Sequence, residues 1–188
     1  RIQNGATMTV ENANITNNDY VFVLGASDGS SAGNLVINGG SYKGETTVAS
    51  VTKGLLTING GEFSLSSAYE NNYNFLINCI DANYKDGTAK VEIKGGKFYS
   101  FNPENNAAEG AGTDFCPDGY TTIYDAPENS YTVINAVAKI GETYYATLSS
   151  AIAAVKNGET IEFIANINEN VTIKQYANKS FTIDGAGK

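Results

Sequence analysis

Histidine is absent from this chain and arginine occurs once, at position 1. Ser-His-Asp and Cys-His nucleophilic arrangements are therefore excluded. A polysaccharide lyase typically needs a cationic base together with calcium-binding carboxylates or an arginine for the sugar acid, and Arg1 alone cannot supply that set. A glycoside hydrolase needs two carboxyl groups converging within about 5 to 10 Å. The candidates by position within repeated segments are Glu11, Glu62 and Glu92, and they do not align with one another. They read as solvated surface acids. Asp114-Thr-Phe-Cys-Pro-Asp118-Gly119 has the look of a calcium loop but lacks alternating ligands, so it reads as a turn. Gly185-Ala186-Gly187-Lys188 lacks the spacing of a phosphate loop and any following helix. Cys79 and Cys116 are the only thiols; free or structural cysteines are favoured over a disulfide, and two cysteines without histidine make a poor metal site. No catalytic residue, cofactor or metal is assigned.

Tyrosine is the more promising functional type. The chain has 12 tyrosines and no tryptophan. With Asn and Asp on a flat β surface, tyrosines can stack on sugar rings and bind their hydroxyls. Tyr69, Tyr73 and Tyr84, in the long third loop, are the candidate glycan contacts, packing against the sheet being the competing role. Twelve basic against twenty acidic residues give a net charge of -8, and the lysines are scattered, which argues against a nucleic-acid surface. No apolar run is long enough to insert into a membrane, and no secretory leader opens the sequence.

The elements that must carry these residues are announced by a repeat. Leu35-Val36-Ile37-Asn38-Gly39-Gly40-Ser41-Tyr42 returns as Leu56-Thr57-Ile58-Asn59-Gly60-Gly61-Glu62-Phe63 and as Val91-Glu92-Ile93-Lys94-Gly95-Gly96-Lys97-Phe98, with a fainter copy at Met8-Thr9-Val10-Glu11. Each copy is an alternating apolar strand, a Gly-Gly corner, and an aromatic two residues on. A second strand follows the copies at Met8, Leu35 and Leu56, at 20–24, 46–51 and 73–80. Strands this short cannot bury one face alone, so equivalent strands are expected to stack in parallel, with Val10, Leu35, Ile37, Leu56, Ile58, Val91 and Ile93 inward. Gly39, Gly40, Gly60, Gly61, Gly95 and Gly96 are read as structural corners. Asn38 and Asn59 should hydrogen-bond to the turn backbone and to the equivalent residue of the next copy.

Residues 101–112 read as a polar loop, and 120–124 with 130–134 as an antiparallel hairpin placed to cover an open sheet end. Val137 to Tyr145 reads as a strand pair about Gly141. Spacings of three and four among Leu148, Ala151, Ile152 and Val155 predict a helix near 147–157, capped by Thr147 and ended at Gly158. Apolar pairs at Ile161/Phe163, Val171/Ile173 and Phe181/Ile183 then suggest further strands. The domain division expected is 1–134 and 135–188.

The Ile-Asn-Gly-Gly-x-Phe repeats, the stretch from Gly95 through Pro117-Asp118-Gly119-Tyr120 to Val133, and the segment from Ala138 to Gly185 resemble the pectate-lyase-like, right-handed parallel β-helix modules of bacterial surface proteins, often gut-type, and of phage fibres. The resemblance implies an all-β solenoid, with the helix capping the start of a second solenoid module. It also implies a non-enzymatic stalk, spacer or adhesive module at the bacterial cell surface, or alternatively a virion surface. The alternative function is a fragment of a carbohydrate-active enzyme. Further modules of the same chain or stacked copies of it are the expected partners, with glycans as possible ligands, because the chain reads as a piece cut from a tandem array.

Overall fold

The computed structural model describes residues 1–17, 19–66, 75–173, 180–185 and 187. Two compact units emerge, Arg1–Pro117 with Thr122–Val133, and Asp118–Thr121 with Ile134–Lys188.

In the first unit strands come in triplets that follow the sequence repeat. The first is β1 (Thr7–Val10), β2 (Asn14–Thr16) and β3 (Tyr20–Leu24). The second is β4 (Asn34–Ile37), β5 (Ser41–Gly44) and β6 (Thr47–Val51), and the third β7 (Gly54–Ile58), β8 (Glu62–Leu65) and β9 (Ile77–Cys79). A short helix α1 (Asp81–Lys85) then precedes β10 (Ala89–Ile93) and β11 (Gly96–Tyr99). Like strands pair in parallel: β1-β4-β7-β10 form one sheet and β3-β6-β9 another. The register sets Val10 against Ile37, Ile37 against Ile58 and Ile58 against Ile93. Every inward position expected from the repeat is buried.

The ladder that β2, β5, β8 and β11 build is where the aromatic of each repeat goes. Period-two alternation turns Tyr42, Phe63 and Phe98 inward, and all three are fully buried. Their rings stack, Tyr42 on Phe63 at 5.3 Å and Phe63 on Phe98 at 4.8 Å between centroids. The Tyr42 hydroxyl finds an acceptor in the Gly39 carbonyl at 2.6 Å. The aromatic that follows each Gly-Gly corner thus lies on an interior strand of a sheet.

Two further strands, β12 (Tyr120–Asp125) and β13 (Ser130–Asn135), extend this second sheet. β13 runs antiparallel to β11, with Phe98 opposite Tyr131, so the expected hairpin joins the sheet at its edge. The second unit has β14 (Ala138–Ile140), β15 (Thr143–Tyr145), a helix α2 (Leu148–Ala154), β16 (Thr160–Phe163) and β17 (Thr182–Asp184). Thr147 caps α2 by accepting the Ser150 N–H at 3.1 Å. The helix stops at Ala154, short of the expected Gly158, because Val155 turns extended at its C-cap.

The all-β, right-handed parallel β-helix solenoid expected from sequence is therefore corrected. The described strands lie in four separate sheets, and two of these are mixed. No continuous solenoid encloses the described residues. In the second unit β14 is antiparallel to both β15 and β16, and only β16 and β17 run parallel. Gly141, at φ +57°, helps close a two-residue turn with Ile140 opposite Thr143, the geometry of a hairpin. Val171–Ile173 form no strand. Nor does α2 cap a second solenoid: Leu148, Ala151, Ile152 and Val155 pack with Ala138 and Ile161 of the unit's own sheet.

Candidate functional site

The corner residues of the first unit line up along its ladders, the glycines half-buried or buried and Asn38 and Asn59 exposed. Gly40, Gly61 and Gly96 take φ between +106° and +113°, following Gly39, Gly60 and Gly95. At Gly40 a Cβ would come within 2.2 Å of the Ala13 carbonyl oxygen, so closeness to the neighbouring repeat as well as backbone sign requires glycine. Asn59 Nδ2 donates to Asn38 Oδ1 at 2.8 Å, and Asn38 Nδ2 donates to Glu11 Oε2 at 2.9 Å. The expected asparagine ladder is present and ends on a carboxylate. Lys94 occupies the next equivalent position and pairs with Glu92 at 2.7 Å.

This placement disposes of the acids as a catalytic pair. Glu11 and Glu92 belong to opposite edges of one sheet, while Glu62 lies on β8 in another. Asp114 caps its own turn, accepting the Cys116 N–H at 2.7 Å. Among the described residues no group of three His, Cys, Asp or Glu side chains could hold a metal ion. Both cysteines are free. Burial pushes the Cys79 thiol well above its ordinary range and Cys116 up to about 12, so neither is an activated thiolate at neutral pH.

Of the candidate glycan contacts, Tyr69 and Tyr73 lie outside the described residues. Tyr84, on α1, is half-buried and meets Phe115 edge-on at 5.9 Å with an interplanar angle of 87°. Phe115 in turn continues through Phe101 to Phe98, so Tyr84 sits at the end of the buried aromatic column. Burial above all holds its hydroxyl above the usual phenol range.

A cleft of about 690 Å³ lies close to this helix, between Phe75–Ala82 and the loop residues Ala107, Ala108 and Gly110. Glu109, in that loop, is only 8% exposed. Its Oε1 accepts the Cys79 N–H at 2.5 Å. Sequence reading passed over this glutamate because it stands in a polar run, and no local pattern distinguishes a buried loop acid from a solvated one. In the second unit a cavity of about 430 Å³ holds Lys139, already paired with Glu162 at 3.2 Å.

The other distinctive surface is the free edge at β1 and β2. Met8 is in register with Leu35, which is in register with Leu56. Leu35 and Leu56 are fully buried, yet Met8 is 43% exposed. The opposite end is closed: Val91, their equivalent on β10, is 9% exposed, the Ile93 N–H donates to the Phe115 carbonyl at 2.8 Å, and β13 covers β11. At the β1 end, among the described residues, only β3 has a neighbour, where Ile2 bridges Leu24 in parallel.

No helix among the described residues is long and apolar enough to cross a membrane. No protein family, curated protein or solved structure matches the chain.

Proposed function

We propose that this chain is a non-enzymatic structural and adhesive module of an extracellular surface protein, and that its β1–β2 edge receives a further strand pair of the same repeat pattern. The observation that carries this reading is the exposure of Met8, at 43%, at the end of an aliphatic column whose internal members are fully buried. An aliphatic rung laid on Met8 would close the column as β13 and the Phe115 segment close the far end. Ile15 tells the same story for the aromatic column, being half-exposed where its register partner Tyr42 is fully buried. The backbone offers matching groups: the Asn34 and Asn38 N–H groups donate to the Ala6 and Val10 carbonyls, so by parallel-ladder alternation Thr7 and Thr9 turn their own polar groups outward. Open edges of this kind are templates for added strands. The parallel bridge made by Ile2 on β3 is a fragment of such an addition. The scattered carboxylates and the lack of any histidine support a role without catalysis.

The test is a fusion of residues 33–45, which carry β4 and β5, ahead of Arg1 through a flexible Gly/Ser linker, giving a millimolar-scale effective concentration. Amide exchange at Thr7 and Thr9 slows by about tenfold or more, an added ladder bond protecting amides that are otherwise open. Thr9→Pro, which removes an outward N–H while leaving the β4 ladder intact, abolishes the slowing at Thr7. Exchange at Thr7 and Thr9 that is unchanged by the fusion overturns the reading. So does slowing that depends on protein concentration without the fusion, which assigns the edge to a second copy instead.

A further inference from the structure

Glu109 is the one charged side chain among the described residues that is buried, and it stands apart from the β1–β2 edge. Its loop forms one wall of the 690 Å³ cleft and its Oε1 reaches Cys79 on the other, so the carboxyl group joins the two walls. Its Oε2 has no hydrogen-bond partner among the described residues. A buried carboxylate oxygen without a donor is costly, whereas a protonated carboxyl sheds the charge and gains a donor of its own. The groups that face it are Asp81, Tyr84 and Lys85 on α1 and the Cys79 thiol on β9. Asp81 is the acid beside it, and its negative charge adds to the cost of ionising Glu109.

We propose that the protonated Glu109 carboxyl latches loop 107–110 onto the β9–α1 segment, and that loss of its proton opens the cleft between them. Burial above all, with Asp81 assisting, raises the Glu109 carboxyl to about 7; the Cys79 N–H and Lys85 oppose the rise. In the open state Glu109 is hydrated and returns to its ordinary value of 4.5. A group whose proton is held more tightly in the closed state favours closure at low pH. The opening constant therefore climbs about tenfold per pH unit between those two values and levels off above the higher. The latch is shut in acid and loose at neutral pH.

Cys79 reports on the latch, being 3% exposed and on the cleft wall. In a Cys116→Ser background it is the only thiol, and 4,4′-dithiodipyridine reads it across acid and neutral pH. Glu109→Gln keeps the acceptor for the Cys79 N–H and removes the titration. The ratio of labelling rates, Glu109-containing protein over Glu109→Gln, is expected to rise by about tenfold or more from pH 4.5 to pH 7 and then stay level. Asp81→Asn removes the repulsion and moves the rise to lower pH. A ratio that does not change with pH overturns the latch, as does a rise that Asp81→Asn leaves in place. Should Glu109→Gln fail to fold, the direction of the Asp81→Asn shift against the unsubstituted residue decides alone.

Discussion

Phe63→Ala lowers the stability of the first unit by about 4 kcal/mol, the middle of the range for truncating a buried aromatic. The ring is fully buried and stacked on both faces, 5.3 Å from Tyr42 and 4.8 Å from Phe98, with interplanar angles of 18° and 8°. Its loss removes the transfer energy of the ring and two stacking contacts, and leaves a void. That void cannot collapse readily, because the neighbours above and below are held by ladder pairing of Phe63 with Tyr42 and of Phe98 with Phe63. Urea unfolding followed by circular dichroism reads the effect as a lower midpoint at unchanged slope. A loss under about 1 kcal/mol, typical of a surface site, means the aromatic ladder is not core.

Gly54→Ala is expected to be as severe, at about 4 kcal/mol or more, for a different reason. Gly54 opens β7 at φ +116°, and a Cβ there would lie 2.0 Å from the Gly33 carbonyl oxygen. That oxygen belongs to the neighbouring repeat's backbone, so relief requires the two repeats to part. The Gly54 N–H also bonds the Thr88 carbonyl at 2.8 Å on the other side, which resists any shift. Gly29 separates the two causes. It has φ +70° but open space around a would-be Cβ, so Gly29→Ala meets only the backbone term, about 1 kcal/mol. Equal losses at the two positions contradict the close approach of repeats that the register describes.

The aliphatic ladder was legible because Leu35, Ile37, Leu56, Ile58, Val91 and Ile93 alternate and recur as a block, and burial follows such alternation directly. The aromatic ladder was half legible. Tyr42, Phe63 and Phe98 were visible at fixed distance from the glycines, but three- or four-residue strands flanked by polar residues carry too little pattern to announce a second sheet. Helix α1 was hidden for a similar reason, having five residues, no buried position and no side-chain cap. The strand pair about Gly141 was legible from its turn glycine, but the solenoid expectation erred beyond it, where β16 pairs antiparallel with β14 and residues 171–173 form no strand. Of the functional positions, the Asn38–Asn59 line followed from repeat spacing. Glu109 did not, because its burial depends on a chain segment about 30 residues away, where the Cys79 N–H donates to it.

Duplication of residues 33–53, inserted between Lys53 and Gly54, tests most directly whether the first unit is built from additive repeats. The Gly33-to-Gly54 spacing and the Leu35–Leu56 and Tyr42–Phe63 pairs mark this as one strand triplet, with its own aliphatic, aromatic and corner residues. An added triplet contributes its own interface as well as its own strands. The longer protein is predicted to fold cooperatively with more strand signal and a higher Tm. A lower Tm, or loss of a cooperative transition, would contradict it.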